Sequence, residues 1–414
     1  MNIQGHLPIS ETEFKHLMNL ALEGVEGMEA RPVVALSGGA DSSALALLYI
    51  NWCQDKPYRA YGIVCDHGLR DDSAEEANRV AERFRQLGMV VEVISLKMTY
   101  GSAIQERARH ERYEAMLQTM RMQGYNTLLL GHHLYDQAET IAFRAMRNSG
   151  ADGLAGMAVT RQMQDAYLVR PFLKITPERL RATLIARSVE WEEDPTNATG
   201  KYTRNKLRMM LASDPQARTE ILQAGEVFAQ RRATGDLKVQ MRLQEAGVKF
   251  TSDWASLDIK LLGQDEIGIK AMSYLINRIG VNATPLSREA VSRILVTQKG
   301  TLGGAMLRKR EDHQTWYLAR ESSYIEKAIT VKAWATWDKR YRVGNFKTEE
   351  PIMLGAVGAQ SWIKTLSKKT PMWVLETVPC FTLEGRVLAL PTLGWYLDTW
   401  QNKLPELKPY GTLG

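Results

Sequence analysis

From residue 31 the chain alternates short runs of β-branched and apolar residues with longer stretches in which apolar positions recur every three or four residues. The short runs predict strands buried on both faces and the longer ones predict helices, so this part reads as stacked βα units on a parallel sheet. Five strands are expected, at 32–36, 60–65, 90–96, 127–131 and 166–169. Between the second and third, Ala74, Ala77, Val80, Ala81, Phe84 and Leu87 line one face of a crossover helix that Gly88 ends. Further helices are expected over about 102–123 and 134–147. Thr176-Pro177 predicts another start, a capping hydroxyl followed by proline at the first helical position.

The alternation fades by about residue 215, and Asp214-Pro215 is the expected boundary. Residues 216–245 read as a helical connector and 267–295 as helices interrupted at Gly280 and Pro285, while the pattern after about 301 turns to strands. Seven of the ten tryptophans fall in that last stretch, where they suit the core of a small β domain. The expected organisation is a catalytic domain over 1–215, a helical connector with a mixed domain over 216–325, and a basic β-rich domain over 326–414. The fold class is α/β: a doubly wound parallel five-stranded sheet, followed by the mixed domain and the small β-rich one.

With 414 residues, 44% of them hydrophobic, the chain can bury full-sized cores, which excludes wholesale disorder. Cys53, Cys65 and Cys380 are scattered without a C-x-x-C pair. Neither a disulfide framework nor a cysteine-ligated metal is expected, and a reducing compartment fits. No run approaches the roughly 18 to 20 apolar residues of a membrane span, and no basic start followed by an apolar run opens the chain, so a soluble cytoplasmic protein is expected. Charge is uneven: residues 1–220 carry 26 basic and 28 acidic groups, a net of −2, and residues 221–414 carry 27 and 19, a net of +8. A polyanionic partner would therefore meet the back half, where Arg308, Lys309, Arg310, Lys364, Lys368 and Lys369 are candidate phosphate contacts.

The sharpest chemical signal is Ser37-Gly38-Gly39-Ala40-Asp41-Ser42, between the first strand and an apolar helix. A turn of this kind offers backbone N–H groups at a positive helix end, which suits a pyrophosphate; the glycines allow close approach, and Ser37 and Ser42 add hydroxyls. Asp41 makes sense beside phosphate if a cation such as Mg²⁺ lies between them. The turn is not a Walker A loop, because the only Gly-Lys pair, Gly200-Lys201, lacks the upstream glycine. After the fourth strand, His132-His133-x-x-Asp136-Gln137-x-Glu139-Thr140 puts Asp136 and Glu139 on one face near a helix start. They could hold a cationic substrate or a metal, or simply complement the helix dipole. His133, beyond the carboxyl end of a strand, is expected to face phosphate; a zinc site lacks its H-E-x-x-H. Gln105, Arg109 and Arg112 share one helical face, as do Arg204 and Arg208, offering cationic edges to phosphate or ordinary solvated charges.

These segments resemble the N-type ATP pyrophosphatase (PP-loop) family. Asp66-His67-Gly68-Leu69-Arg70, Ala108-Arg109-x-x-Arg112-Tyr113, Gly153-Leu154-x-Gly156-Met157, Arg170-Pro171, Asp194-Pro195-x-Asn197 and Arg204-Asn205-x-x-Arg208 occur in the order seen in its tRNA(Ile)-lysidine synthetase branch. The resemblance spans about residues 31–212 and is weaker behind, at Thr301-Leu302-Gly303-Gly304 and Arg320-Glu321. It implies an adenine nucleotide alpha hydrolase-like fold and a ligase that splits ATP into AMP and pyrophosphate while joining free L-lysine to C2 of the wobble cytidine of a minor isoleucine tRNA. It implies ATP on Ser37, Gly38, Gly39, Ala40, Asp41 and Ser42, with the adenosine near Asp66 and His67 and Mg²⁺ on Asp41. Asp41, His133, Arg109 and Arg112 would then be catalytic, and Asp136, Glu139, Arg204 and Arg208 would bind substrate. A related cytidine 2-thiolase would need paired cysteines, and a nucleotide sensor would bind ATP without turnover.

Overall fold

The computed structural model describes residues 5–23, 25, 31–66, 68, 73–96, 104–163, 166–193, 203–281, 286–310, 314–366 and 368–409, with the side chains of 104–110, 121 and 203–205 excepted. The chain divides into two compact units, Met1–Arg232 and Ala233–Gly414, and the division falls inside one long helix. In the first unit, α1 (Glu11–Leu22) is followed by β1 (Pro32–Leu36), α2 (Ala40–Trp52), β2 (Tyr61–Asp66), α3 (Ser73–Gln86), β3 (Val90–Ser95), α4 (Ile104–Met122) and β4 (Thr127–Leu129). Then come α5 (Leu134–Met146), α6 (Ala151–Leu154), β5 (Thr160–Met163), β6 (Ala166–Val169), α7 (Pro177–Ile185), α8 (Thr203–Ser213) and the long α9 (Pro215–Glu245).

All five expected strands form and pair in parallel, in the order β3-β2-β1-β4-β6. Val33 of β1 sits between Tyr61 of β2 and Leu128 of β4. The strand order reverses at β1 and β4, so the ligand crevice of such a sheet opens at their carboxyl ends. The structure adds β5, antiparallel to β6 at the sheet edge. Its Thr-Arg-Gln-Met sequence is polar because an edge strand need not be buried on both faces, and so it reads as a loop.

One sheet face is covered by α1, α2, α3 and α7 through Phe14, Leu48, Phe84 and Leu180, and the other by α4 through Met116, Leu117 and Met120. Burying each such side chain contributes roughly 1.5–3 kcal/mol. Helix α2 is apolar all round, buried from Ser42 to Tyr49, because it is packed between the sheet, α1 and α7. That burial fixes the turn that starts it. Helix α7 begins after Thr176 with Pro177 in its first turn, as expected, but the Thr176 hydroxyl makes no capping hydrogen bond.

The second unit opens with β7 (Lys249–Phe250), β8 (Trp254–Leu257), α10 (Ile259–Leu262), α11 (Glu266–Gly280), α12 (Arg288–Thr297), β9 (Gly300–Leu302), β10 (Ala305–Lys309) and β11 (Trp316–Arg320). Its antiparallel sheet runs β7-β8-β11-β10-β9, with Leu275 and Ile279 of α11 and Leu295 of α12 buried together with Leu257, Leu307 and Leu318. A five-stranded and a three-stranded antiparallel sheet follow within residues 329–409. Trp316 and Trp337 are buried core, as the sequence leads one to expect. Buried Asp338 lies between Arg320 (Oδ2–Nε 3.1 Å) and Arg340 (Oδ2–Nε 2.6 Å), tying β11 to the segment that follows it. Among the described residues no helix is long and apolar enough to cross a membrane.

Candidate active site

The turn between β1 and α2 is set by its backbone. Gly38 has φ +82°, and a Cβ there would lie 2.7 Å from Val80 Cγ2. Only glycine occupies that position without strain. Gly39, the residue before α2, has φ −68°, and a Cβ there would meet only Ser37 Oγ at 3.7 Å. Ser42 Oγ accepts from Ser37 N–H at 3.1 Å and donates to Gly39 O at 3.1 Å, and the Ser37 and Ser42 hydroxyls bond each other at 3.0 Å. Ser43 Oγ and Glu192 N–H both donate to Gly38 O. The two serines expected as phosphate donors therefore close the turn on itself. The backbone amides of the first α2 turn, which an α-helix leaves without internal partners, are further donors suited to an anion.

Beyond β4, Gly131 lets the chain pass directly beneath this turn, since a Cβ there would lie 2.9 Å from Ser42 N. His133 is thereby brought over the turn as the cap of α5. Its Nδ1 accepts the amides of Tyr135 (3.1 Å) and Asp136 (3.3 Å), while Asp136 Oδ2 accepts His133 N–H at 3.0 Å. With Nδ1 so engaged, the ring proton belongs on Nε2, which lies 3.6 Å from Asp41 Oδ2. Asp41 sits in the first turn of α2 with its Oδ1 buried and without a hydrogen-bond partner. Burial pushes its carboxyl above the ordinary range; the charges of His133, Arg181 and Arg208 pull it down, and Asp136 pushes it up. The side chain remains 37% exposed, open on one side to the cleft.

Asp136 and Glu139 share one face of α5, and Arg208 of α8 joins them. Its Nε lies 2.7 Å from Glu139 Oε1, and one terminal nitrogen lies 3.2 Å from Glu139 Oε2 and 3.5 Å from Asp136 Oδ1. The predicted anions and a predicted cation thus meet one another. Behind them, Gln137 exchanges two hydrogen bonds with Met157 (3.0 and 2.8 Å), and Arg144 donates to the carbonyls of Gly153 and Gly156, which locks the Gly153–Met157 motif onto α5.

A cavity of about 330 Å³ joins these parts, lined by Ser37, Asp41, Ser42, Gly131, His132 and Asp136 at one end and by Val64, Cys65, Asp66, Glu76, Arg112 and Tyr113 at the other. Asp66 is buried, and its Oδ1 accepts from Gly68 N–H (2.9 Å) and Ser73 Oγ (2.6 Å), so it ties the end of β2 to Gly68 and to the start of α3. Burial raises the Cys65 thiol to about 11, which keeps it protonated. His67 lies outside the described residues, as do the side chains of Arg109 and Arg204. Among the described residues no three His, Cys, Asp or Glu side chains converge to hold a metal. The orphaned oxygen of Asp41 is the one-carboxylate arrangement that Mg²⁺ accepts when phosphates supply its other ligands. Arg181 and Glu192 were missed by sequence reasoning, and neither carried a local signal; they reach the site only through the fold.

A parallel sheet with an anion-binding turn at its switch point and a lone carboxylate beside it defines an ATP-binding enzyme of the PP-loop class, and residues 8–214 match the PP-loop domain family. The tRNA(Ile)-lysidine synthase of Ruegeria pomeroyi is 31% identical over 372 residues, covering 87% of this chain and 88% of that protein. Those of Rickettsia bellii (26% over 414 residues; 93% and 94% covered) and Zymomonas mobilis (29% over 286 residues; 66% and 85% covered) are similar. The chain belongs to the tRNA(Ile)-lysidine synthase family of PP-loop ligases.

Proposed function

We propose that this chain uses ATP to join free L-lysine to C2 of the wobble cytidine in the CAU-anticodon isoleucine tRNA, in the cytoplasm. The observation that carries the reading is one cleft onto which the α2 turn, Asp41 with its unpartnered oxygen, and Asp136 all open. The phosphates of ATP rest on the amides at the start of α2, and the adenosine lies toward Val64 and Asp66. Asp41 would hold Mg²⁺, which would supply charge neutralisation at the phosphates. Arg112, which lines the cavity, adds a fixed positive charge, and His133 Nε2 lies 3.6 Å from Asp41 Oδ2.

The cytidine C2 oxygen attacks the α-phosphorus, forming a C2–O–P linkage and releasing pyrophosphate. The lysine ε-amine then adds at C2, and the C2–O bond breaks with AMP as the leaving group. A free lysine amine titrates near about 10.4, so a proton must be lost before attack. Asp136, whose Oδ1 also faces Arg208, is the carboxylate in the cleft suited to hold the ammonium, while Glu139 steadies Arg208 from behind. Incubation with ATP, radiolabelled lysine and transcripts carrying either C or U at the wobble position tests the reading. Lysine entering only the C transcript is expected; ATP bound with no lysine transferred to either transcript rejects it.

A further inference from the structure

Tyr135, the second residue of α5, belongs to none of the sequence motifs, yet its ring is held by two neighbours. The guanidinium carbon of Arg218, from the first turn of α9, lies 3.8 Å from its ring centroid. The His133 imidazole meets the ring edge-on, with centroids 6.0 Å apart and planes at 88°. Burial and then the charge of Glu178, in the first turn of α7, push the Tyr135 hydroxyl above its ordinary range; Glu178 is itself buried, with Oε2 lacking any hydrogen-bond partner. Arg218 is fixed in turn by donating to Leu211 O at 3.2 Å.

The ring of Tyr135 thus stands between Arg218 and the imidazole that faces Asp41. We propose that Tyr135 is a positioning residue of the ligase: its ring, held by Arg218, keeps the His133 imidazole on α5 with Nε2 directed at Asp41. The α5 amides select Nδ1 as the acceptor only while the imidazole stays over them, and the aromatic ring keeps it there; without the ring the imidazole can turn away and lose that selection. The inference rests on the proposed lysine-ligating reading for its kinetic arm only, because the orientation of His133 can be read without turnover.

The test compares the full chain with Tyr135→Phe, which keeps the ring, and Tyr135→Leu, which removes it. Nitrogen-15 correlation spectra of the histidines, assigned with a His133→Asn variant, report which nitrogen carries the proton. Wild type and Tyr135→Phe are expected to show His133 protonated on Nε2 alone, and Tyr135→Leu to show a mixture of both forms. In steady-state ligation, Tyr135→Leu is expected to lose about 10- to 100-fold in kcat, the cost of a misplaced group. KM for ATP should stay within about twofold, with Tyr135→Phe close to wild type in kcat because the ring still positions the imidazole. An unchanged His133 tautomer in Tyr135→Leu overturns the proposal, as does a Phe variant as impaired as the Leu variant. If the wild type itself transfers no lysine, the functional reading fails while the spectra still decide the role of Tyr135.

Discussion

Arg208 closes on Glu139 with two contacts, Nε to Oε1 at 2.7 Å and a terminal nitrogen to Oε2 at 3.2 Å, so α8 is tied to α5 through a two-pronged ion pair. Glu139 is buried, whereas the Arg208 side chain is 43% exposed. Hydrogen bonding to Glu139, partly opposed by burial, strengthens the hold of Arg208 on its proton. The contact is charge-assisted and planar, the geometry that lysine cannot reproduce.

Removing Arg208 leaves the buried Glu139 carboxylate without its partner. Arg208→Ala is expected to cost about 1–3 kcal/mol in urea denaturation, less than a fully buried pair because the guanidinium is half open to water. Arg208→Lys should recover only part of it. A loss below about 0.5 kcal/mol for the alanine variant would mean that the pair is an ordinary surface contact.

The two glycines of the turn differ sharply. At Gly38 a methyl group would be forced against Val80 in a left-handed backbone, whereas at Gly39 it would meet only Ser37 Oγ at van der Waals distance. Gly38→Ala is expected to lose about 1–3 kcal/mol of stability, with Gly39→Ala losing under about 1 kcal/mol. Thermal and urea melts of the two variants decide this. Equal losses would show that the strain is not located at Gly38.

Asp41 has its carboxyl raised above the ordinary 3.8, chiefly by burial. The folded state therefore holds this proton more tightly than the unfolded chain does. The stabilisation is complete below about pH 3.8 and is lost as pH rises through the higher folded value. Asp41→Asn escapes that loss. Its melting temperature relative to wild type, without nucleotide, is expected to rise between about pH 4 and neutrality, while ligation disappears. A difference that stays flat with pH would show that the Asp41 carboxylate is not strained by its surroundings.

What could be read in advance follows from how locally each feature is written. The five parallel strands are continuous runs of apolar and β-branched residues, mostly buried except for the edge strand β3, and the β1–α2 turn packs glycine, acid and hydroxyl into six successive residues. Edge strand β5 was hidden because a one-sided strand may be polar. The inward use of Ser42, which accepts the Ser37 amide instead of pointing at a ligand, depends on a backbone angle that no residue type specifies. Arg181, Glu192 and the Tyr135–Arg218 clamp act on residues 83 to 154 positions away, and only the folded sheet brings them together. The pairing of Arg208 with Glu139 belongs to the same class: both residues were legible as charged candidates, and their mutual satisfaction was not.

The bond broken in ATP tests the central account most directly. Wild-type protein incubated with lysine, unmodified isoleucine tRNA and ATP labelled at the α- and γ-phosphates should release AMP and pyrophosphate, each equal in amount to the lysine joined to tRNA. Asp41→Ala should release neither. Release of ADP and inorganic phosphate instead, or AMP formation undiminished in Asp41→Ala, would contradict it.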